Sequence, residues 1–462
     1  MVLTYLGPIL EAQAQTLTPL YSFSGGNDGA QPAGLVLSSN TIYGAASYGR
    51  GSNYGTVFAV HTDGTGFTVL RSFSGGSDGA FPWALSLSGN TLYGTALYGG
   101  LDVSYSGNGT LFALNTDGAG FSKLYSFGGD DGSIPSDLIL SSNTLYGATE
   151  SGGSSGSGTV FRLNPDGTGF ATVYSFTARN FYTNLFFDIY TNSDGFSPNG
   201  LILLGDALYG TTSLGGSSGN GTVFKVNTDG TSFTVLHSFT GPPVAGSAHP
   251  TPNSDGAHPE VGLTSSGNTL YGTALLGGGS GKGTIFKLNI DGTGFMILHS
   301  FSGQDGANPY AKLLQSGNTL YGEASYGGNS GNGTAFKLND DGTGFASLHS
   351  FTGGDGANPA GGLLLSSNTL YGTTLNGGSF GSGTLFSISL PVTPLQLTIR
   401  LTGANIILTW STNANGFTLQ STTNLVSPVV WTAVSPEPVV VNGWNTVTNA
   451  VSGAQQFYRL SQ

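Results

Sequence analysis

GTLFSISLP (Gly383 to Pro391) decides the fold, because it is the last of seven near-copies of one phrase and the only one cut short. In a full copy, such as GTIFKLNIDGTGFMILHSF (Gly283 to Phe301), a GT-x-F strand enters a DG turn and returns as a second strand ending in SF. At Gly383 the second strand is missing. The chain also opens on an unpaired strand of the second kind, LTPLYSF (Leu17 to Phe23). Each orphan is the partner the other lacks. An open array would leave two bare sheet edges, a liability for association, so pairing the two orphans is the expected solution.

The rest of the repeat supports that reading. A Tyr-Gly phrase recurs with its Tyr at 43, 93, 146, 209, 271, 321 and 371. Each unit of about 50 residues holds four short apolar segments, the sign of a β-propeller blade. In the sixth unit they are AKLLQ (Ala311 to Gln315), TLYGEAS (Thr319 to Ser325), GTAFKLN (Gly333 to Asn339) and FASLHSF (Phe345 to Phe351), here named strands A, B, C and D. They are rich in β-branched and aromatic residues and bounded by Gly, Asn, Asp or Ser. The A–B link is SGN or SSN, and the DG of the C–D link supplies the positive φ a tight hairpin needs. The expected fold class is all-β: a seven-bladed β-propeller over residues 15–390, closed by pairing of its N-terminal and C-terminal strands and followed by a small β-sandwich. A parallel β-solenoid is the rival, but solenoids need no circular completion.

Composition narrows the function. Charged residues are 8% of the chain, net charge is −12, and 12 Lys and Arg are thinly spread. No basic stripe exists for nucleic acid or an anionic membrane. No run of apolar residues reaches the ~18 of a membrane span. With no cysteine, disulfides, thiol catalysis and cysteine zinc sites are excluded. Residues 1–14 carry a short apolar run and Ala12-Gln13-Ala14, an A-x-A shape read as the remnant of a signal peptide. An exported, extracellular or cell-surface monomer is expected.

Length variation separates two faces. From each strand-C Phe to the following strand-D Phe is 15 residues in every complete pair, while insertions fall in the B–C and D–A links. In a propeller those links share one face, which is the expected binding face. The insertion Thr177 to Ser193 brings Phe181, Tyr182, Phe186, Phe187 and Tyr190, aromatic rings suited to sugar stacking or to a small core of their own. The insertion Thr240 to Ser254 leads into His249, Asp255, His258 and Glu260, without a recognised metal spacing. Trp83, His249, His258 and Glu260 complete the candidate ligand-binding set. Seven DG phrases ring the same face. Turn chemistry is favoured for them over calcium, since each offers one carboxylate.

Catalysis has weaker support. Glu150 and Glu323 break the repeat on B strands, but they stand at different offsets from the Tyr in units three and six. A glycosidase needs two carboxyl groups roughly 5 to 9.5 Å apart. A diverged hydrolase or lyase site near Glu150, Glu260 or Glu323 is the alternative to a non-catalytic binding protein, and a purely structural surface protein is the third reading.

After Leu390 the repeat ends. PVTPL (residues 391–395) reads as a stiff linker. Residues 396–462 carry strand-like runs with Trp410, Trp431 and Trp444, and Trp410 and Tyr458 are the expected core anchors. The phrases GTVFKVNTDGTSFTVLHSF (Gly221 to Phe239), GNTLYGTA (Gly267 to Ala274) and SGQDGANP (Ser302 to Pro309) resemble the GloVer-type tandem repeats of bacterial exported proteins. The order of elements and the paired Gly99-Gly100 and Gly327-Gly328 resemble kelch propellers, and the tail resembles fibronectin type III modules. The resemblance implies an exported protein, and the aromatic and Gly-rich loops of one face are read as binding an extracellular glycan or surface protein. It carries over no catalytic residues.

Overall fold

The computed structural model describes residues 15–49, 54–100, 107–183, 188–241, 253–391, 397–411, 417–441, 444–450 and 456–461. The described chain is all-β, built of propeller-like four-stranded antiparallel sheets. One compact unit holds Thr16–Ser389 and another the residues from Leu390 onward. In the first repeat unit the sheet order is Ala30–Ser38, Thr41–Tyr48, Thr56–His61 and Thr68–Ser72, which are strands A to D in sequence order. Thr16–Ser22 pairs antiparallel with Thr384–Ser389, from Thr16 opposite Ser389 to Ser22 opposite Thr384.

The repeated phrases are packing requirements. The Gly of Tyr-Gly lies directly opposite the GT-x-F phenylalanine, as Gly44 does opposite Phe58. A Cβ on that Gly would stand 2.3–2.6 Å from the ring tip in all seven units, so no other residue fits. The SF phenylalanine is fully buried and meets the strand-C phenylalanine of the next sheet edge-on. These pairs, from Phe23–Phe58 to Phe351–Phe386, have centroids 5.1–5.3 Å apart, the spacing aromatic pairs favour.

The DG-A-x-P phrase is an inter-sheet staple. Its variable residue has left-handed φ, +60° at Phe81 and +55° at Asn308. That twist turns its N–H toward the preceding sheet, where a carbonyl accepts it at 2.7–3.1 Å in all seven units, Gln31 to Ser382 included. The following proline packs on the Gly of the preceding GT phrase, so that a Cβ there would meet Pro Cδ at 2.4–2.7 Å. The DG aspartate clasps its own loop. Asp194 accepts from Tyr174 at 2.9 Å and from the Thr177 N–H at 2.9 Å. Asp305 does the same with His299 at 2.9 Å and Ser302 at 2.8 Å.

One expectation is corrected. Strand A is a nine-residue ladder in the first four units (Ala30–Ser38, Ala80–Ser88, Ser133–Ser141, Phe196–Leu204). In the last three only three residues remain next to the hairpin (Thr264–Ser266, Leu314–Ser316, Leu364–Ser366). AKLLQ is therefore not one strand. The cause is one residue: proline to leucine is three positions in Pro82 to Leu85 but four in Pro309 to Leu313. The extra residue breaks the ladder into a bend facing the interior of the repeat array.

In the C-terminal unit two sheets face each other across one core. Ile406, Leu408, Trp410 and Val447 come from the first sheet, and Leu419, Tyr458 and Leu460 from the second. Trp410 is 1% exposed, as its expected anchoring role requires.

Candidate functional site

Strand-A segments of all seven units line one cavity of about 810 Å³. One end of these segments is apolar, with Val36, Leu87, Ile139 and Leu364. The other follows the DG-A-x-P staples and is polar. The residue after each proline lies at this polar mouth: Ala33, Trp83, Ser136, Asn199, Glu260, Tyr310 and Ala360. Two of the expected ligand residues, Trp83 and Glu260, are thus brought together. Glu150 joins them from the end of its B strand.

The electrostatics of the mouth are uneven. Burial, and next the charge of Glu260, push the Glu150 carboxyl up to about 7. Burial and the same two carboxylates push the Tyr310 phenol up as well. Lys312, on the bend created by the extra residue, is exposed to water inside the cavity yet walled by protein. That enclosure lowers its pKa, with Asp137 opposing the change. Solvent in the cavity tempers the effect. Among the described residues no carboxylate comes within ion-pair distance of Lys312. Asp137 instead accepts the Leu201 N–H at 2.6 Å.

Glu323 lies elsewhere. It is fully buried at the seam between the sixth and seventh units, where one oxygen accepts the Gly362 N–H at 3.0 Å and the other has no partner. Burial raises its pKa to about 8, partly offset by the Gly362 hydrogen bond. It is therefore a neutral acid behind the cavity wall at neutral pH. The two Glu that break the repeat occupy different environments, as their offsets from Tyr imply.

The remaining expected residues divide. Phe181 and Tyr190 are backbone-paired in a hairpin of Asn180–Thr183 with Asp188–Thr191, which also contains Tyr182. Phe186, Phe187 and His249 lie outside the described residues. His258 Nδ1 stands 3.8 Å from Glu260 Oε1, while Asp255 turns away to His237 at 3.2 Å. Among the described residues no three His, Asp or Glu gather in a metal-holding group. Nor does any helix reach the length and apolarity needed to cross a membrane.

Sequence reasoning missed Tyr310 and Lys312. The available signal was PYAKL standing where earlier units have four residues, as in PWAL. It also missed an aromatic strip beside the mouth: Tyr48 and Phe81 with centroids 4.8 Å apart, and Phe81 and Tyr98 at 5.8 Å.

Solved structures of similar shape are distant. The computationally designed Ika8 protein shares 17% identity at TM-score 0.44, over 78% of this chain and 96% of its own. A gluconolactonase from Xanthomonas campestris shares 13% at TM-score 0.42, over 82% and 91%. An oligogalacturonate lyase in complex with manganese shares 11% at TM-score 0.47, over 83% and 94%. No curated protein matches the chain. The model of the Gloeobacter/Verrucomicrobia repeat matches residues 9–185 and 245–424, well over half of the chain, and the chain belongs to that family.

Proposed function

We propose that the seven units form one closed seven-bladed, kelch-like propeller, exported to the cell surface or beyond, that binds an extracellular polysaccharide at the polar mouth of its central channel. Closure is supported by the pairing of Thr16–Ser22 with Thr384–Ser389. It is also supported by the staple from Gln31 to Ser382 and the Phe23–Phe58 contact, which repeat at this junction the bonds made at every other. The C-terminal unit is read as a fibronectin type III-like spacer or attachment module.

The observation that carries the binding reading is the mouth itself. Trp83, Asn199, Glu260, Tyr310 and Glu150 converge on one water-accessible cavity. Aromatic faces with a few polar groups between them suit the C–H faces and hydroxyls of sugars. The test is a glycan and polysaccharide array with the full chain and with Trp83→Ala and Tyr310→Ala, in calcium and in EDTA. Retention of one glycan class by the wild type, lost in both variants, is expected. Equal signals from all three proteins would sink the reading, and calcium dependence would move the DG ring from turn chemistry to site.

One observation favours a second reading. Burial, and next the Glu260 charge, push the Glu150 carboxyl up to about 7. A raised carboxyl beside a second one is what the acid–base pair of a polysaccharide hydrolase or lyase needs. New reducing ends or unsaturated products, abolished by Glu150→Gln or Glu260→Gln, would establish it.

A further inference from the structure

The aromatic strip Tyr48–Phe81–Tyr98 occupies positions that do not require aromatic residues. The residue equivalent to Phe81 is Gln31, Ile134, Ser197, His258, Asn308 or Asn358 in the other units. Phe81 holds φ at +60°, a conformation costly for a bulky side chain. Asparagine adopts it more readily, so phenylalanine is not the residue this backbone conformation favours. Tyr48 ends an otherwise buried strand and is 47% exposed. Its counterparts are Ser151, Leu214, Leu276 and Asn376 in four of the other units and Tyr98 and Tyr326 in the remaining two.

The strip is directed. Tyr48 packs on Phe81, and Phe81 meets Tyr98 edge-on. Tyr98 lies opposite Ala80, the neighbour of Phe81, in the ladder, and burial and then the charge of Glu150 push its phenol up. Phe81 is separated from Trp83 by the staple proline alone. The rings therefore form a ledge that begins at the exposed Tyr48 and adjoins Trp83 of the mouth.

We infer that this ledge is an extended subsite for a neutral, linear polysaccharide, whose successive pyranose rings lie on Tyr48, Phe81 and Tyr98 before the chain reaches Glu150 and Trp83. The inference rests on the binding reading above and names its ligand class. Charge argues for a neutral chain. Asp137, Glu150 and Glu260 line the cavity against one cation, Lys312, and the chain as a whole carries −12. A polyanion would be repelled. Sugar C–H faces on aromatic rings need no charge.

The test is calorimetric titration of the full chain with cellohexaose, mannohexaose and xylohexaose, with the disaccharide of each, and with an oligogalacturonate. Tyr48→Ala alters an exposed side chain, and Phe81→Asn introduces the residue that Asn308 and Asn358 place at that φ, so both variants are expected to fold, which their thermal melts check. Each is expected to weaken hexasaccharide binding roughly threefold to tenfold, the range of one aromatic contact, and to leave disaccharide binding unchanged. Trp83→Ala is expected to weaken both. If Tyr48→Ala and Phe81→Asn bind the hexasaccharide like wild type while Trp83→Ala does not, the ledge is overturned and the mouth stands. Preference for the oligogalacturonate overturns the neutral ligand. No binding of any sugar by folded wild type at millimolar concentration overturns ledge and mouth together.

Discussion

The first four repeat units and the last three are built from the same phrases and differ in two ways. Entering units one to four, the DG aspartate is held by Tyr21, Arg71, Tyr125 and Tyr174. Entering units five to seven it is held by His237, His299 and His349. The first four units wall the cavity with continuous strands, and the last three with bends that present Glu260, Tyr310 and Lys312. The phenylalanine pairs and staples are common to both. The difference shows that the repeat has a part fixed by packing and a part, at the inner wall and the clasp, free to carry polar chemistry.

The common part sets the largest expected effect. Phe176→Ala and Phe301→Ala each remove a fully buried ring of one half. Each is expected to cost about 3–5 kcal/mol by denaturant titration. Phe23→Ala, at the junction of first and last strands, is expected to cost as much. A cost near zero for Phe23 alone would mean that this junction is open in solution.

The seam between the sixth and seventh units has the next largest effect. Folding keeps the Glu323 proton up to about pH 8, while an ordinary Glu loses it near 4.5. Wild-type stability therefore falls as pH rises from about 4.5 to 8 and levels off above. Glu323→Gln removes that dependence and is expected to gain on the order of 2–4 kcal/mol over wild type at pH 8.5 relative to pH 4. Parallel melting curves across pH for the two proteins would rule out the buried acid.

At the mouth, Glu260→Gln removes a negative neighbour of Glu150. The Glu150 titration followed by carbon-13 NMR is expected to move down from about 7, toward the ordinary 4.5. An unmoved titration would mean burial alone sets the value.

The smallest effect tests the clasp. Burial lowers the His299 pKa below 6.5, although Asp305 pulls the other way. The unfolded chain then binds a proton first, and stability is lost as pH falls below about 6.5. His299→Tyr installs the clasp of the first half, a ring able to stack on Phe345 as Tyr174 stacks on Phe233. It is expected to be neutral at pH 7.5 and to gain about 0.5–1 kcal/mol at pH 5.5. No gain on acidification would leave the two clasps equivalent.

Much of the fold was legible because each phrase answers one steric demand repeated seven times. Gly44 has no alternative under Phe58, and the orphan strands LTPLYSF and GTLFSISL lie side by side. The site was legible only where a single residue stood out, as Glu150, Glu260 and Trp83 did; Glu323 stood out equally but lies in the seam. Their surroundings were not readable. Open cavity for Glu150 and sealed seam for Glu323 depend on two positions along a strand. Tyr310 and Lys312 were hidden because one extra residue in a loosely patterned segment resembles loop variation, until the ladder is seen to break there.

The pairing of Thr16–Ser22 with Thr384–Ser389 has a consequence for the order of events at the ribosome. Six sheets are composed of contiguous sequence and are free to assemble as each emerges. The seventh draws its outer strand from the start of the array and its other strands from the end of it. That outer strand must stay available, unpaired, through the synthesis of more than 300 residues. Contacts so distant in sequence are slow to form. Latching is the final step, and the waiting strand, an exposed edge until then, is where nascent chains are most open to capture by a chaperone or by one another.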